Sequence, residues 1–302
     1  MKIAVLGAGA VGCYYGGLLA RGGHDVTLIG RPAHVAAIES HGLFFETAQW
    51  RAHIPIRAST DSTWVRHADT VLFCVKSGDT ESAGAAIAPF LKPDAVVYSL
   101  QNGVDNAERL QALVSQKVVP VVVYVAAGME GPGHVRHNGR GELVLGTEAV
   151  CDAFVAACQA AQIPVERSGA VTEALWNKLV INCAYNALSA ITQQPYGKLV
   201  QTQGVGDLID LVVAECLAVA TAKGLSLPAD LTSAVHQIAV SMAPQRSSTA
   251  RDLARGKTTE VEHINGYIVR EGRRLGVPTP VNATLQTLVK VFEDRQTLGA
   301  QG

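Results

Sequence analysis

The amino-terminal stretch MKIAVLGAGAVGCYYGGLLARGGHDVTLIGR restricts the fold more than any other part of the chain. An apolar run from Ile3 to Leu6 reads as a strand. Gly7, Gly9 and Gly12 follow, a helical stretch comes next, and a second strand is expected from Asp25 to Ile29. G-x-G-x-x-G alone is a weak signal. Set between a strand and a helix inside a βαβ unit of about 30 residues, it becomes specific for a dinucleotide-binding turn. Gly7 permits the tight turn, Gly9 lets backbone approach a pyrophosphate, and Gly12 lets the helix pack close to the strand. The helix N-terminus then offers N–H groups and a positive dipole end to the phosphates. The competing reading is a glycine-rich turn in an α/β domain that binds nothing.

The end of the second strand indicates which dinucleotide. NAD sites place Asp or Glu there, about 20 residues past the glycines, to bond the ribose hydroxyls. This chain has Gly30-Arg31 instead, and Asp25 lies at the opposite end of that strand. Arg31 can pair bidentately with a 2′-phosphate that a carboxylate would repel, so the reading is NADPH. A plain surface arginine after a strand is the alternative. Lys76, just after an expected strand over Thr70 to Val75, lies at another carboxyl end of the sheet and adds positive charge near the cofactor.

A second constraint comes from ALWNKLVINCAYNALSAI, between Ala174 and Ile191. Lys178, Asn182 and Asn186 recur at i, i+4 and i+8 and stack along one helix face, and Ser189 returns to nearly the same phase. Nearly everything off that line is apolar, so most of the helix circumference should be buried. A lysine there loses hydration unless something accepts its protons. One account is a wall facing a polar ligand, anionic or carbonyl-bearing. The other is a core lysine paired with a distant carboxylate, with the asparagines bonding backbone.

Composition fits a two-domain enzyme of 302 residues. A net charge of −1 gives no electrostatic reason to expect nucleic acid or an anionic membrane surface. No apolar run reaches the ~18–20 residues of a membrane span, and Met1-Lys2 leads straight into a strand with no room for a signal peptide. The six cysteines contain no C-x-x-C and read as small buried hydrophobes in a reducing compartment, with no metal site. The cytoplasm is therefore the expected location.

Strand and helix patterns alternate up to about residue 168. They include a hairpin expected in GLFFETAQWRAHIPIRAS, and strands at Val118–Ala127 and Glu142–Gly146 around a Gly-rich loop, GMEGPGHVRHNGRG. Beyond Val171 the periodicity is helical only, including helices over Ser247–Arg255 and Thr259–Leu275. The expected fold is α/β: a Rossmann-type doubly wound sheet with an extra antiparallel edge over residues 1–168, then an all-helical domain over 169–302. The first domain should hold the cofactor and the second the substrate, in a cleft at the carboxyl ends of the parallel strands.

Taken together, GAGAVG with Arg31, SLQNGVDN, LWNKLVINCAYNALSAI and SSTARDLARGKTTEVEHINGYIVREGRRLGVPTP resemble the ketopantoate reductase (2-dehydropantoate 2-reductase) family over nearly the whole chain. The resemblance implies NADPH-dependent reduction of 2-dehydropantoate to pantoate, by hydride transfer to a 2-keto acid. It gives Lys178 the role of general acid and Glu260 that of ligand to the substrate hydroxyl. Asn182, Asn186 and Ser248 would orient the substrate. Arg31, Lys76 and Asn102 would hold the cofactor, with Asn102 beside the nicotinamide and the substrate. From the residues alone, Glu260 is only an acid in the first turn of a helix whose Thr259 and Glu262 form a capping box, and Ser247-Ser248 are helix caps.

The chemistry suits these groups. A protonated lysine can stabilise the growing alkoxide and hand over its proton. An ordinary lysine pKa of ~10.4 keeps it charged at neutral pH, and a nearby glutamate would help. Thr249-Ala250-Arg251-Asp252 departs from the usual family pattern, with an arginine where a glutamine is common, and this bears on which anion is accepted. Two other functions stay open: an NADPH-dependent reductase of a different 2-oxo acid, and a non-catalytic NADP-sensing protein. The partner is a small-molecule 2-keto acid, with a homodimer left open.

Overall fold

The structure is a computed structural model describing the backbone of residues 1–299 and the side chains up to residue 294. It divides into two compact units, one of Met1–Gln101 with Asp105–Val171, the other of Asn102–Val104 with Thr172 onward.

In the first unit, strands β1 (Lys2–Leu6), β2 (Asp25–Ile29), β3 (Leu43–Glu46), β4 (Arg51–Ile54), β5 (Arg57–Ser59), β6 (Thr70–Phe73), β7 (Val96–Ser99), β8 (Lys117–Pro120), β9 (Val122–Gly131), β10 (His134–Leu145) and β11 (Val165–Arg167) form two sheets. The larger has the order β5-β2-β1-β6-β7-β8, and every pairing in it is parallel. Its central strands are apolar at successive positions because both faces are covered. Ile3 and Val5 enter one core with Leu28 and Leu72, while Ala4 and Leu6 enter another with Ile29, Val71 and Phe73. The first core holds helix α1 (Ala10–Arg21) through Cys13, Tyr14, Tyr15 and Leu19. The second is closed by Ile87 and Leu110, from helices α3 (Thr80–Ile87) and α4 (Asn106–Gln111). Helices α2 (Pro32–His41) and α5 (Asp152–Ala160) complete the unit.

The expected antiparallel edge is instead a separate five-stranded sheet, β11-β10-β3-β4 with β9 on β10. The hairpin read at 43–54 is present, with Leu43 opposite Ile54. The Gly-rich loop is not. Strands β9 and β10 run through it and leave only a turn at Pro132-Gly133, where Gly133 takes φ +66°. Proline fixes the first turn position and glycine supplies the positive φ of the second. Gly139 and Gly141 fall where the β9–β10 register shifts, so they serve bulges and not a loop.

The second unit is helical: α6 (Val171–Thr192), α7 (Tyr196–Leu199), α8 (Val205–Ala222), α9 (Leu231–Ser241), α10 (Ser248–Ala254), α11 (Asn265–Leu275) and α12 (Pro280–Gly299). Its core is built around α6, whose Trp176, Leu179, Val180, Cys183, Ala184 and Tyr185 pack with Ile209, Val212 and Cys216 of α8 and with Ile268, Leu285 and Val289. Glu215 of α8 caps α12, its two oxygens accepting from the N–H groups of Val281 (2.8 Å) and Asn282 (2.9 Å), where a carboxylate also suits the helix dipole. No helix among the described residues is long and apolar enough to cross a membrane.

The helix expected over Thr259–Leu275 is broken. A 3₁₀ turn covers Val261–His263, Ile264 leaves helical geometry at φ −112°, ψ −97°, and α11 starts at Asn265. Asn265, fully buried, anchors the new start by donating to the Cys183 carbonyl (3.1 Å) and to Asn282 Oδ1 (3.0 Å). The capping box is also absent. Thr259 Oγ1 accepts from Val261 N–H, but Glu262 turns to Gln286 and Lys290.

Helices α8 and α11 are joined by an ionic cluster at Glu271. Hydrogen bonds from Arg274 (2.9 Å), and then from Lys223, hold its carboxyl down at about 2 against the opposing effect of burial. A depressed carboxyl contributes stability above its unfolded pKa, and that contribution is lost as pH falls from about 4.5 to about 2. Urea denaturation at pH 7 and pH 3 should therefore show wild type losing about 1–2 kcal/mol more than Glu271→Gln over that interval. Parallel losses in the two proteins would show that the cluster does not carry the acid sensitivity.

Candidate active site

The first unit builds the glycine turn as the spacing requires. Gly7 has φ +107°, and a Cβ on it would lie 2.7 Å from the Cys74 backbone. A Cβ on Gly12 would sit 2.1 Å from the Gly7 carbonyl oxygen and 2.9 Å from Val5, so α1 can approach β1 only with glycine there. Gly9 differs, because its Cβ would meet nothing within 4 Å. It occupies the N-cap of α1 with no capping side chain, leaving first-turn N–H groups that an anion can take. Open space over Gly9 beside uncapped N–H groups is the form of a pyrophosphate seat.

The turn is latched to the end of β2, since the N–H groups of Gly7 (2.9 Å) and Ala8 (3.0 Å) both donate to the Ile29 carbonyl. Arg31 follows two residues later at the N-cap of α2, exposed, with no hydrogen-bond or ion-pair partner for its guanidinium among the described residues. Asp25, at the far end of β2, pairs with Arg57 at 3.1 Å. Lys76 directly follows the segment after β6, at the N-cap of a 3₁₀ turn over Ser77–Asp79.

In the second unit three predicted residues converge. Lys178 Nζ donates to Asn102 Oδ1 at 3.1 Å, and Asn102 Nδ2 donates to Glu260 Oε2 at 2.9 Å. One amide thus bridges the ammonium and the carboxylate. Glu260 reaches it from the N-cap of the 3₁₀ turn, a position created by the break before α11. On α6, Asn182 is half-buried and Asn186 is 4 % exposed, and among the described residues neither side-chain amide has a hydrogen-bonding partner. Amides left unmatched by the protein are open to water or to a ligand.

The serines divide in role. Ser189 is structural: its hydroxyl donates to the Gln194 carbonyl (2.9 Å) and accepts from Ser247 N–H (3.2 Å). Ser247 caps α10 through Ala250 N–H and donates to the Asn186 carbonyl at 3.1 Å, docking α10 beside Asn186. Ser248, the next residue, is half-buried, and its hydroxyl has no such partner among the described residues. The bridging task of Asn102 had no signal in the sequence, its two partners lying 76 and 158 residues away.

A parallel sheet with a glycine turn at its first strand end, joined to a helical unit that carries the lysine cluster, defines a Rossmann-type oxidoreductase. The family model "Ketopantoate reductase PanE/ApbA" matches residues 3–149, and "Ketopantoate reductase PanE/ApbA C terminal" matches 170–293. The chain belongs to the ketopantoate reductase family. It is 34 % identical over 302 residues to 2-dehydropantoate 2-reductase of Halobacterium salinarum, covering 97 % of this chain and 99 % of that one. The structure of a PanE/ApbA family ketopantoate reductase from Ralstonia eutropha JMP134 superposes with TM-score 0.96 at 55 % identity, over 98 % of this chain and 100 % of that one. D-Mandelate dehydrogenase, solved with NADH and anilino(oxo)acetate, superposes with TM-score 0.93 at 26 % identity over 98 % and 100 % of the two chains.

The glycines make separable predictions. Gly9→Val should melt near the wild-type temperature, since its side chain enters open space, yet lose binding of a reduced nicotinamide dinucleotide in a fluorescence titration. Gly12→Val should instead cost stability, on the order of 1–3 kcal/mol or more, because overlap with the Gly7 carbonyl forces the backbone apart. Undiminished dinucleotide binding by Gly9→Val would rule out the turn as the pyrophosphate seat.

Proposed function

We propose that this protein is a cytoplasmic NADPH-dependent reductase that converts 2-dehydropantoate to pantoate, with Lys178 as general acid. The observation that carries the reading is the Lys178–Asn102–Glu260 chain of hydrogen bonds, with the unpartnered amides of Asn182 and Asn186 on the same α6 face. The family supports the reaction class, and the relative from Halobacterium salinarum bears the name of this activity.

The nicotinamide, when bound, supplies the hydride. Gly7, Gly9 and Gly12 would hold its pyrophosphate, Arg31 its 2′-phosphate, and Lys76 and Asn102 further parts of it. As the keto carbon is reduced, charge grows on the carbonyl oxygen, and the Lys178 ammonium is the group to stabilise it and deliver a proton from Nζ. Asn102 fixes where that Nζ points, and Glu260 fixes the Asn102 amide. Glu260 would accept from the substrate hydroxyl, while Asn182, Asn186 and Ser248 hold the remaining polar groups.

A second reading, reduction of a different 2-oxo acid, is favoured by Arg251. This half-buried residue lies one helical turn past Ser248 on α10, with no hydrogen-bond or ion-pair partner for its guanidinium among the described residues. It would suit a substrate with an additional acceptor, and the D-mandelate dehydrogenase neighbour is a 2-hydroxy acid enzyme on the same scaffold.

Cofactor preference follows from Arg31 and the missing carboxylate after β2. Arg31→Ala should weaken NADPH binding about 10-fold or more, the size of a lost charge-assisted pair, and leave NADH nearly unaffected. Equal use of both cofactors by the wild-type protein would remove this reading.

Substrate and mechanism can be tested in one kinetic series at saturating NADPH. Lys178→Ala should lower kcat by about 10²–10⁴-fold while the fold and NADPH binding hold. Glu260→Ala should cost more kcat/KM on ketopantoate than on the same 2-keto acid lacking the hydroxyl, because a site built to bond a hydroxyl discriminates against its absence. Equal losses on the two substrates would take the hydroxyl-ligand role from Glu260. A wild-type preference for the deoxy acid would transfer the assignment to the second reading.

A further inference from the structure

A buried polar cluster joins the segments that follow the neighbouring parallel strands β6 and β7, and nothing in the scheme above uses it. Ser77 and Thr80 are fully buried, and Ser99, Gln101 and Asn106 nearly so. Gln101 Nε2 donates to the Val75 carbonyl (3.2 Å) and to Thr80 Oγ1 (2.8 Å), while Ser99 Oγ donates to Gln101 Oε1 (2.9 Å). Asn106, the first residue of α4, is the hub. Its Nδ2 donates to Ser77 Oγ at 3.1 Å, and its Oδ1 accepts from Arg109 Nη1 at 2.9 Å and lies 3.4 Å from Thr80 Oγ1. Arg109 closes the loop by donating to the Ser77 carbonyl at 3.0 Å and pairing with Glu81 at 2.6 Å.

Five polar side chains would not be withdrawn from water at two strand ends merely for packing, since each must be matched by a partner. A satisfied buried network does confer rigidity. What it makes rigid here is specific. Ser77 is the immediate neighbour of Lys76. Gln101 immediately precedes Asn102, and the chain leaves the first unit after Gln101 and re-enters it at Asp105, directly before Asn106. The cluster therefore fixes both points between which residues 102–104 are strung, and the same amide holds the base of the Lys76 turn.

We infer that Asn106 is a positioning residue of the reaction, which sets Lys76 and Asn102 jointly for the cofactor without touching it. This rests on the cofactor roles proposed above for those two residues. The test is a binding cycle, with NADPH as the probe and its dissociation constant read by fluorescence. Asn106→Ala should raise that constant about 10-fold, as expected for the net loss of buried hydrogen bonds. Asn106→Asp should recover most of the loss, because its oxygens still accept from Arg109 and the Ser77 hydroxyl can rotate to donate. In a Lys76→Ala/Asn102→Ala background, Asn106→Ala should change the constant by no more than about 2-fold, since residues acting through one another are not additive.

A 10-fold effect that persists in that background would overturn the inference. So would equal damage by Asn106→Ala and Asn106→Asp that simply tracks the fall in melting temperature. If Asn106→Ala does not fold, Ser77→Ala removes only the hydroxyl that Asn106 holds and carries the same cycle. A wild-type protein that binds neither NADPH nor NADH would instead overturn the cofactor reading, and the positioning role with it.

Discussion

An ammonium placed on an apolar helix has to be held, and the second unit is organised around that need. Lys178 is half-buried on α6, the helix whose Trp176, Leu179 and Val180 lie in the core, and an ammonium drawn partly out of water needs partners. The structure supplies an amide oxygen at 3.1 Å, and the nitrogen of the same amide carries a carboxylate. Opposite charges are thereby joined through one neutral side chain. The interruption before α11 belongs to the same arrangement. A continuous helix from 259 would leave Glu260 in a first turn, whereas the 3₁₀ turn puts it at an N-cap within reach of Asn102.

The first unit depends on close backbone approach. Because Gly7 and Ala8 both donate to the carbonyl of Ile29, the glycine turn and the end of β2 are tied together. The backbone beneath the open space at Gly9 and the backbone leading to Arg31 are thus held together by main-chain hydrogen bonds.

Much of this was legible in the sequence, and the misreadings have identifiable physical causes. The βαβ unit and the polar line on α6 are local patterns, so spacing alone reveals them. The stretch around Gly128 to Gly141 reads as loop because glycine marks bulges as readily as turns, and only the partner strand decides between them. The helix over 259–275 reads as continuous because its periodicity is intact. What breaks it is the pull of Asn265 toward the Cys183 carbonyl, a contact 82 residues away in sequence. The bridge at Asn102 is of the same kind. Its residue type is ordinary for a turn, and its significance lies wholly in partners from distant segments. Arg31 is the intermediate case: the residue is plain, while its role is still inferred from what is absent beside it.

The short passage of residues 102–104 through the second unit bears on how such a protein can be cut or recombined. A segment starting at 169 would seem a natural module, with its own apolar core and both Lys178 and Glu260. Taken alone, it would leave behind the amide that links them, because that amide is encoded nearly seventy positions upstream. The helical half is therefore an incomplete cassette. Transplanting it onto another nucleotide-binding half would preserve the charges but discard their coupling, unless the recipient happened to carry an asparagine on an equivalent three-residue excursion. Such an arrangement ties the two halves to a common inheritance, and any circular permutant opened between Gln101 and Asp105 would sever the tie that excision breaks.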